Sequence, residues 1–144
     1  MNHVHSFLIS LGADKIPHSG RTLYEHLCNT ESILKICRCD ETVATAGLIH
    51  SIYGTEFFET VTATDRDLVQ SVVGEKTEYI AWIFSNAMRP FCWFTGKHIP
   101  LRDGTHISVD EYTLKALQMI EGANLLDQQM GFEILISMGS QNAK

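Results

Sequence analysis

His50 closes the run Ala46-Gly47-Leu48-Ile49-His50-Ser51, and the residues three, four and seven before it are Gly47, Ala46 and Val43. That spacing puts its imidazole on the face a helix buries. His26 shares an apolar stripe with Leu23, Leu27, Thr30 and Leu34. Further on, Glu121 and Asn124 interrupt the stripe Leu114, Leu117, Leu125, and being three apart they are neighbours on the helix surface. A buried neutral histidine without a partner costs roughly 1–3 kcal/mol, and a buried lone carboxylate costs more. A divalent cation held by His26, His50 and Glu121 answers all three at once. Imidazole nitrogen and carboxylate oxygen suit Mn, Fe(II) or Zn, and such a set leaves positions for water and substrate. The competing reading is an internal hydrogen-bond network with no metal.

The elements that must position these residues follow from the same periodicity. Val4, Phe7, Leu8 and Leu11 predict a short helix closed by Gly12. Ser19 reads as the N-cap of a longer helix through about residue 38, which carries His26, with His18 and Arg21 at its start as an anion contact. Asp40 caps the helix that ends at His50. Residues 57–63 show no clear period and read as an irregular segment or lid. Thr64 with Asp67 predicts a helix to Val73 whose inner face is Leu68, Val69, Val72 and Val73, stopped by Gly74. Tyr79, Trp82, Ile83 and Asn86 predict the next helix, from Glu75 to about Ala87. The Asp103-Gly104 turn between short runs predicts a hairpin near residues 98–107. Ser108 with Glu111 opens a last long helix to about Gln128, followed by a separate apolar segment from Phe132 to Met138.

With 144 residues the chain fits one domain, 1–144. A net charge of -6, with 11 Lys and Arg spread along the chain, argues against a nucleic-acid surface. No basic leader or spanning apolar run is evident, so no membrane is expected and the cytosol is the expected location. Cys28, Cys37, Cys39 and Cys92 lack the spacing of a disulfide framework or of a zinc site. Trp93 and Phe94 leave room for a homodimer contact.

Three stretches together carry a resemblance: Thr22-Leu23-Tyr24-Glu25-His26, Ala46-Gly47-Leu48-Ile49-His50-Ser51, and Leu117-Gln118-Met119-Ile120-Glu121-Gly122-Ala123-Asn124-Leu125. Their order resembles the HD-domain superfamily, and among its members the small ppGpp-hydrolase branch. The run from His50 to Glu56, with its Tyr53-Gly54-Thr55-Glu56, is also similar to a family of small bacterial proteins without an assigned activity. The resemblance covers roughly residues 18–128 and implies an all-α fold, a single HD-like helical bundle, here with the small hairpin near 98–107 added. It implies that His26 and His50 are ligands of one Mn(II). Glu121 stands where the family has its last Asp ligand, in an A-D-K-x-x-N-type stretch, and Asn124 matches the nearby Asn that contacts substrate. Ser51 replaces the Asp of the His-Asp pair, which leaves one negative ligand instead of two.

The expected function is a metal-dependent hydrolase acting on a small phosphorylated or nucleotide-like compound, in which the metal activates water. Glu56 is the candidate general base or acid, and His18, Arg21 and Asn124 contact the anionic substrate. With only Arg21, Arg89 and Lys97 as candidate cations for a pyrophosphate, ppGpp itself is not the expected substrate. Two alternatives are a non-catalytic module binding a small molecule or partner with a degenerate site, and a mononuclear Fe(II) oxygenase.

Overall fold

The computed structural model describes residues 2–54, 63, 65–90 and 92–142, with side chains as far as Gln129. Among them the protein is mainly helical, with six α-helices and two small antiparallel sheets. In order these are α1 (His3–Ser10), β1 (Pro17–His18), β2 (Arg21–Thr22), α2 (Leu23–Ile36), α3 (Glu41–Leu48), α4 (Arg66–Val73), α5 (Glu75–Asn86), β3 (His98–Pro100), β4 (His106–Ser108) and α6 (Glu111–Asn142). None of the described helices is long and apolar enough to cross a membrane.

Side-chain oxygens fix the helix starts. Asn2, Asp40 and Asp65 each accept from backbone N–H groups in the first turn of α1, α3 and α4. Thr22 and Glu25 form a reciprocal capping box that opens α2. Ser19, expected as that cap, instead lies in the tight turn between β1 and β2. Both Ser19 (φ 51°) and Gly20 (φ 80°) are left-handed, as a type I′ hairpin turn requires. His18 therefore pairs across the ribbon with Arg21 and is held by a strand rather than a helix. Asp65 caps α4, the expected Thr64 lying outside the described residues, and Leu68, expected inside, is 49% exposed. Asp110, not Ser108, accepts from the Thr113 N–H at the start of α6. That helix runs on to Asn142, so the expected break near Gln128 does not occur. The hairpin is present, with His98 opposite Ser108 and Pro100 opposite His106.

Two apolar clusters make the core. One gathers Leu34, Val43, Ile80, Phe84, Trp93, Leu117 and Ile120, and the other Leu8, Leu23, Leu27, Leu48, Ile49, Ile52 and Val69. Trp93, expected at the surface, is fully buried and stacks on Phe84 with ring centroids 5.1 Å apart, while Phe94 stays exposed. Helices α2 and α3 meet closely at Gly47. A Cβ at that position would fall well inside contact distance of Leu34 Cδ1 and sit 3.4 Å from Thr30 Cγ2.

Candidate functional site

Four elements deliver polar groups to one buried region. His26 comes from the middle of α2, His50 from the turn after α3, Asn124 and Asp127 from α6, and His18 from β1. All five side chains are buried, His26 completely. His26 Nδ1 lies 2.6 Å from Asp127 Oδ2, and Arg21 donates to both oxygens of the same carboxylate at 3.1 and 2.6 Å. His50 Nδ1 lies 2.7 Å from the Gly47 carbonyl. The two Nε2 atoms then face each other at 3.4 Å, and His50 Nε2 is 3.2 Å from Asn124 Oδ1.

These partners settle the tautomers. A carboxylate and a carbonyl can only accept, so each Nδ1 carries a proton, and the neutral His50 turns a lone pair at Nε2 inward. The His50 lone pair and the Asn124 amide oxygen converge beside His26 Nε2, and two acceptors this close repel unless a proton or a cation sits among them. The His50 ring is further held edge-on against Phe84, 5.1 Å between centroids.

Electrostatics follows from burial. Desolvation first, and then the neighbouring His26, push His50 well below the ordinary histidine range, so it is neutral near pH 7. Burial and then His26 likewise push His18 down to about 4; its ring lies 4.3 Å from that of His26. Burial alone would raise Asp127, but hydrogen bonds from His26 and Arg21 outweigh it and hold the carboxyl at about 2.

Above these groups lies a cavity of about 510 Å³, within the common range for small-molecule sites. Its buried floor includes His18, His50, Ser51, Arg89 and Asn124, and its mouth the exposed Pro17, Ser19 and Pro90.

Of the residues expected at the site, His26, His50, Asn124 and His18 come together. Glu121 is as buried as expected, but its carboxylate is bound by Arg89, with Nε at 3.3 and 3.2 Å from its two oxygens and Nη2 on Oε2. The carboxylate bonded to a histidine of this site is Asp127, on His26, while Glu121 meets Arg89. Arg21 does not line the cavity; its guanidinium is engaged by Asp127 behind His26. Glu56 lies outside the described residues. Sequence reasoning missed Asp127, and it had Arg89 only as one of three cations for a pyrophosphate, not as a partner of Glu121. Asp127 follows Asn124 by three positions on the same helix, a signal that could have found it, whereas Arg89 follows α5 in a stretch without period.

Among the described residues no group of three or more His, Cys, Asp and Glu side chains forms a metal-holding set. The convergence here takes an amide, Asn124, as its third donor.

The fold and site thus define a mainly helical protein with a buried histidine pair beneath an open pocket. The chain belongs to a family described as a domain of unknown function (DUF6817), whose model matches residues 7–89. That match takes in His18, His26, His50 and Arg89 but stops before α6, which adds Asn124 and Asp127. No curated protein and no solved structure matches the chain.

Proposed function

We propose that the protein is an HD-like, metal-dependent hydrolase of a small anionic, phosphorylated compound, with His26, His50 and Asn124 as the protein donors to a divalent cation. The observation that carries this reading is the inward convergence of His26 Nε2, His50 Nε2 and Asn124 Oδ1, with both Nδ1 atoms tied back. Metal-binding histidines characteristically give their other ring N–H to a carboxylate or a backbone carbonyl, and here Asp127 and Gly47 take those roles. With metal–nitrogen bonds of about 2.1 Å, adjacent ligands lie roughly 3.0–3.4 Å apart, which accommodates the 3.4 Å between the two nitrogens. In the A-D-K-x-x-N-type stretch, Ala123-Asn124 then takes the place of Ala-Asp, ahead of Glu121.

When bound, the cation would supply Lewis acidity and stabilise charge developing on a phosphoryl group. The chain's own residues do the rest. Asp127 and Arg21 hold the His26 ring, Phe84 and the Gly47 carbonyl hold that of His50, and neutral His18 can take a proton at the pocket floor. Arg89, kept in place by Glu121 and by stacking over Phe84 at 4.4 Å, lends positive charge to the same cavity.

A second reading, a non-catalytic binding module, is favoured by one feature: the donor set is neutral, with Ser51 and Asn124 where carboxylates would strengthen metal binding. The Fe(II) oxygenase reading is supported less, because its facial triad needs a carboxylate and Glu121 and Asp127 are engaged elsewhere.

Elemental analysis of protein purified without chelator, beside a His50→Ala variant, separates these readings. Near-stoichiometric Mn, Fe or Zn that is lost in the variant, followed by turnover in a phosphatase and nucleotide panel, supports the hydrolase. Metal without turnover supports the binding module. No metal in either protein after incubation with Mn(II) overturns the metal site and leaves a proton-sharing histidine network.

A further inference from the structure

One polar atom on the cavity floor is left without an internal answer. Ser51, in the turn after α3, is 2% exposed and lines the cavity, and its Oγ has no hydrogen-bond partner among the described residues. Buried hydroxyls are almost always bonded. Ser85, fully buried nearby, shows the usual outcome: its hydroxyl lies 3.2 Å from the His50 carbonyl and 2.9 Å from that of Ala81. A buried hydroxyl without a partner, on a residue that lines a cavity, marks a place where a ligand atom can complete the bonding.

The charge of that ligand atom follows from what else lines the floor. Arg89 places a guanidinium there, held by Glu121. Among the described lining residues it is the side chain of fixed charge, and its complement in a ligand is an anionic oxygen. Ser51, Arg89 and the half-buried Gln128 amide come from three separate parts of the fold, the turn after α3, the segment after α5, and α6. Donors arriving from separate walls suit a tetrahedral oxyanion better than a planar carboxylate.

We propose that Ser51 Oγ donates a hydrogen bond to the phosphoryl group of a small phosphorylated molecule, with Arg89 supplying the opposing charge. The assignment rests on the reading of this cavity as a ligand site but requires no bound metal. The cavity exceeds what a bare phosphate fills, so the phosphoryl end lies on the buried floor and the remainder of the molecule reaches the mouth between Pro17 and Pro90.

Isothermal titration of the full chain with inorganic phosphate, and separately with acetate, tests it, each run on chelator-treated protein and again after loading with Mn(II). Wild type should bind phosphate at least tenfold more tightly than acetate. Ser51→Ala should weaken phosphate binding by about tenfold or more, the worth of a hydrogen bond to a charged group, with an unchanged melting temperature because no internal bond is lost. Ser51→Asp should abolish phosphate binding by repulsion. In wild type alone, phosphate should shift the Ser51 and Ile52 amide signals in a nitrogen–proton NMR spectrum. Equal phosphate affinity in wild type and Ser51→Ala, acetate binding as tight as phosphate, or unmoved Ser51 and Ile52 signals would each overturn the proposal. Ser51-dependent phosphate binding in a protein that takes up no metal sustains it while removing the metal site.

Discussion

Two buried polar clusters in this chain differ in whether their hydrogen bonds close. Around Glu78, fully buried on α5, every approach is a donor: Tyr53 Oη at 2.9 Å, Arg66 Nε and Nη2 at 2.6 and 3.0 Å, and Gln70 Nε2 at 3.3 Å. Burial pushes the Glu78 carboxyl up, but these bonds outweigh it and leave it below its usual value. Around His26 and His50 the outer bonds are equally good, yet His50 Nε2 and Asn124 Oδ1 meet as two acceptors and Ser51 Oγ has no partner among the described residues. The first cluster completes itself and joins α4 to α5; the second is complete only with something added. Buried polarity alone does not mark a site. The sign of the groups that face one another does.

The largest test of this contrast is Glu78→Ala, which strands Tyr53 and Gln70. It should cost about 1–3 kcal/mol in urea denaturation, the loss on leaving buried polar groups unbonded, since Arg66 is 41% exposed and returns to water. A loss below about 1 kcal/mol would mean that the cluster does not close the structure as its geometry says.

Next comes the division of labour between the two α6 carboxylates. Asp127→Asn should lower metal affinity by about 10–100-fold, as removal of a group orienting a ligand histidine does, whereas Glu121→Gln should change it by less than about threefold. Competition with a chromogenic chelator reads both, and the reverse order would return the ligand role to Glu121.

Acid separates the clusters by pH. His18 and His50 have ordinary values of 6.5 and are lowered in the fold, so the unfolded chain binds more protons and stability falls as pH drops below 6.5. For His18 that loss is spread from 6.5 down to about 4. Glu78, lowered from 4.5, contributes stability that is fully present above that value and lost as pH falls below it. Denaturation midpoints from pH 8 to 3 should therefore fall in two stages. His18→Gln should flatten the first, and Glu78→Gln should reduce the second, in which Asp127, held at about 2, also loses its contribution.

The smallest effect belongs to a residue in neither cluster. Leu68→Ala, at a position half exposed on α4, should change stability by no more than about 0.5 kcal/mol, measured by the same denaturation.

The interior positions of His26, His50, Glu121 and Asn124 were legible because helical periodicity reports which way a residue faces. Which partner each meets was not, because pairing depends on the rotation and approach of separate helices. Glu121 and Asn124 share a stripe on α6, yet one meets Arg89 and the other His50. Asp127 was passed over because a helix ending near Gln128 would leave it in a frayed, solvated turn, while in an α6 that continues to Asn142 it stands inside a rigid helix. Ser19 was misread because serine serves both as a cap and in a left-handed turn, and only the glycine after it separates the two.

Gly47 shows how little of a site has to touch its ligand. Its missing methyl lets α2 settle against α3, and so sets the gap between the helix that carries His26 and the turn that carries His50. Its carbonyl also holds the His50 ring by Nδ1. One residue without a side chain thus acts as gauge block and set-screw for the imidazole pair, fixing the width between the two nitrogens and the angle of one of them. Gly47→Ala would detune the pocket while leaving every group that lines it chemically intact.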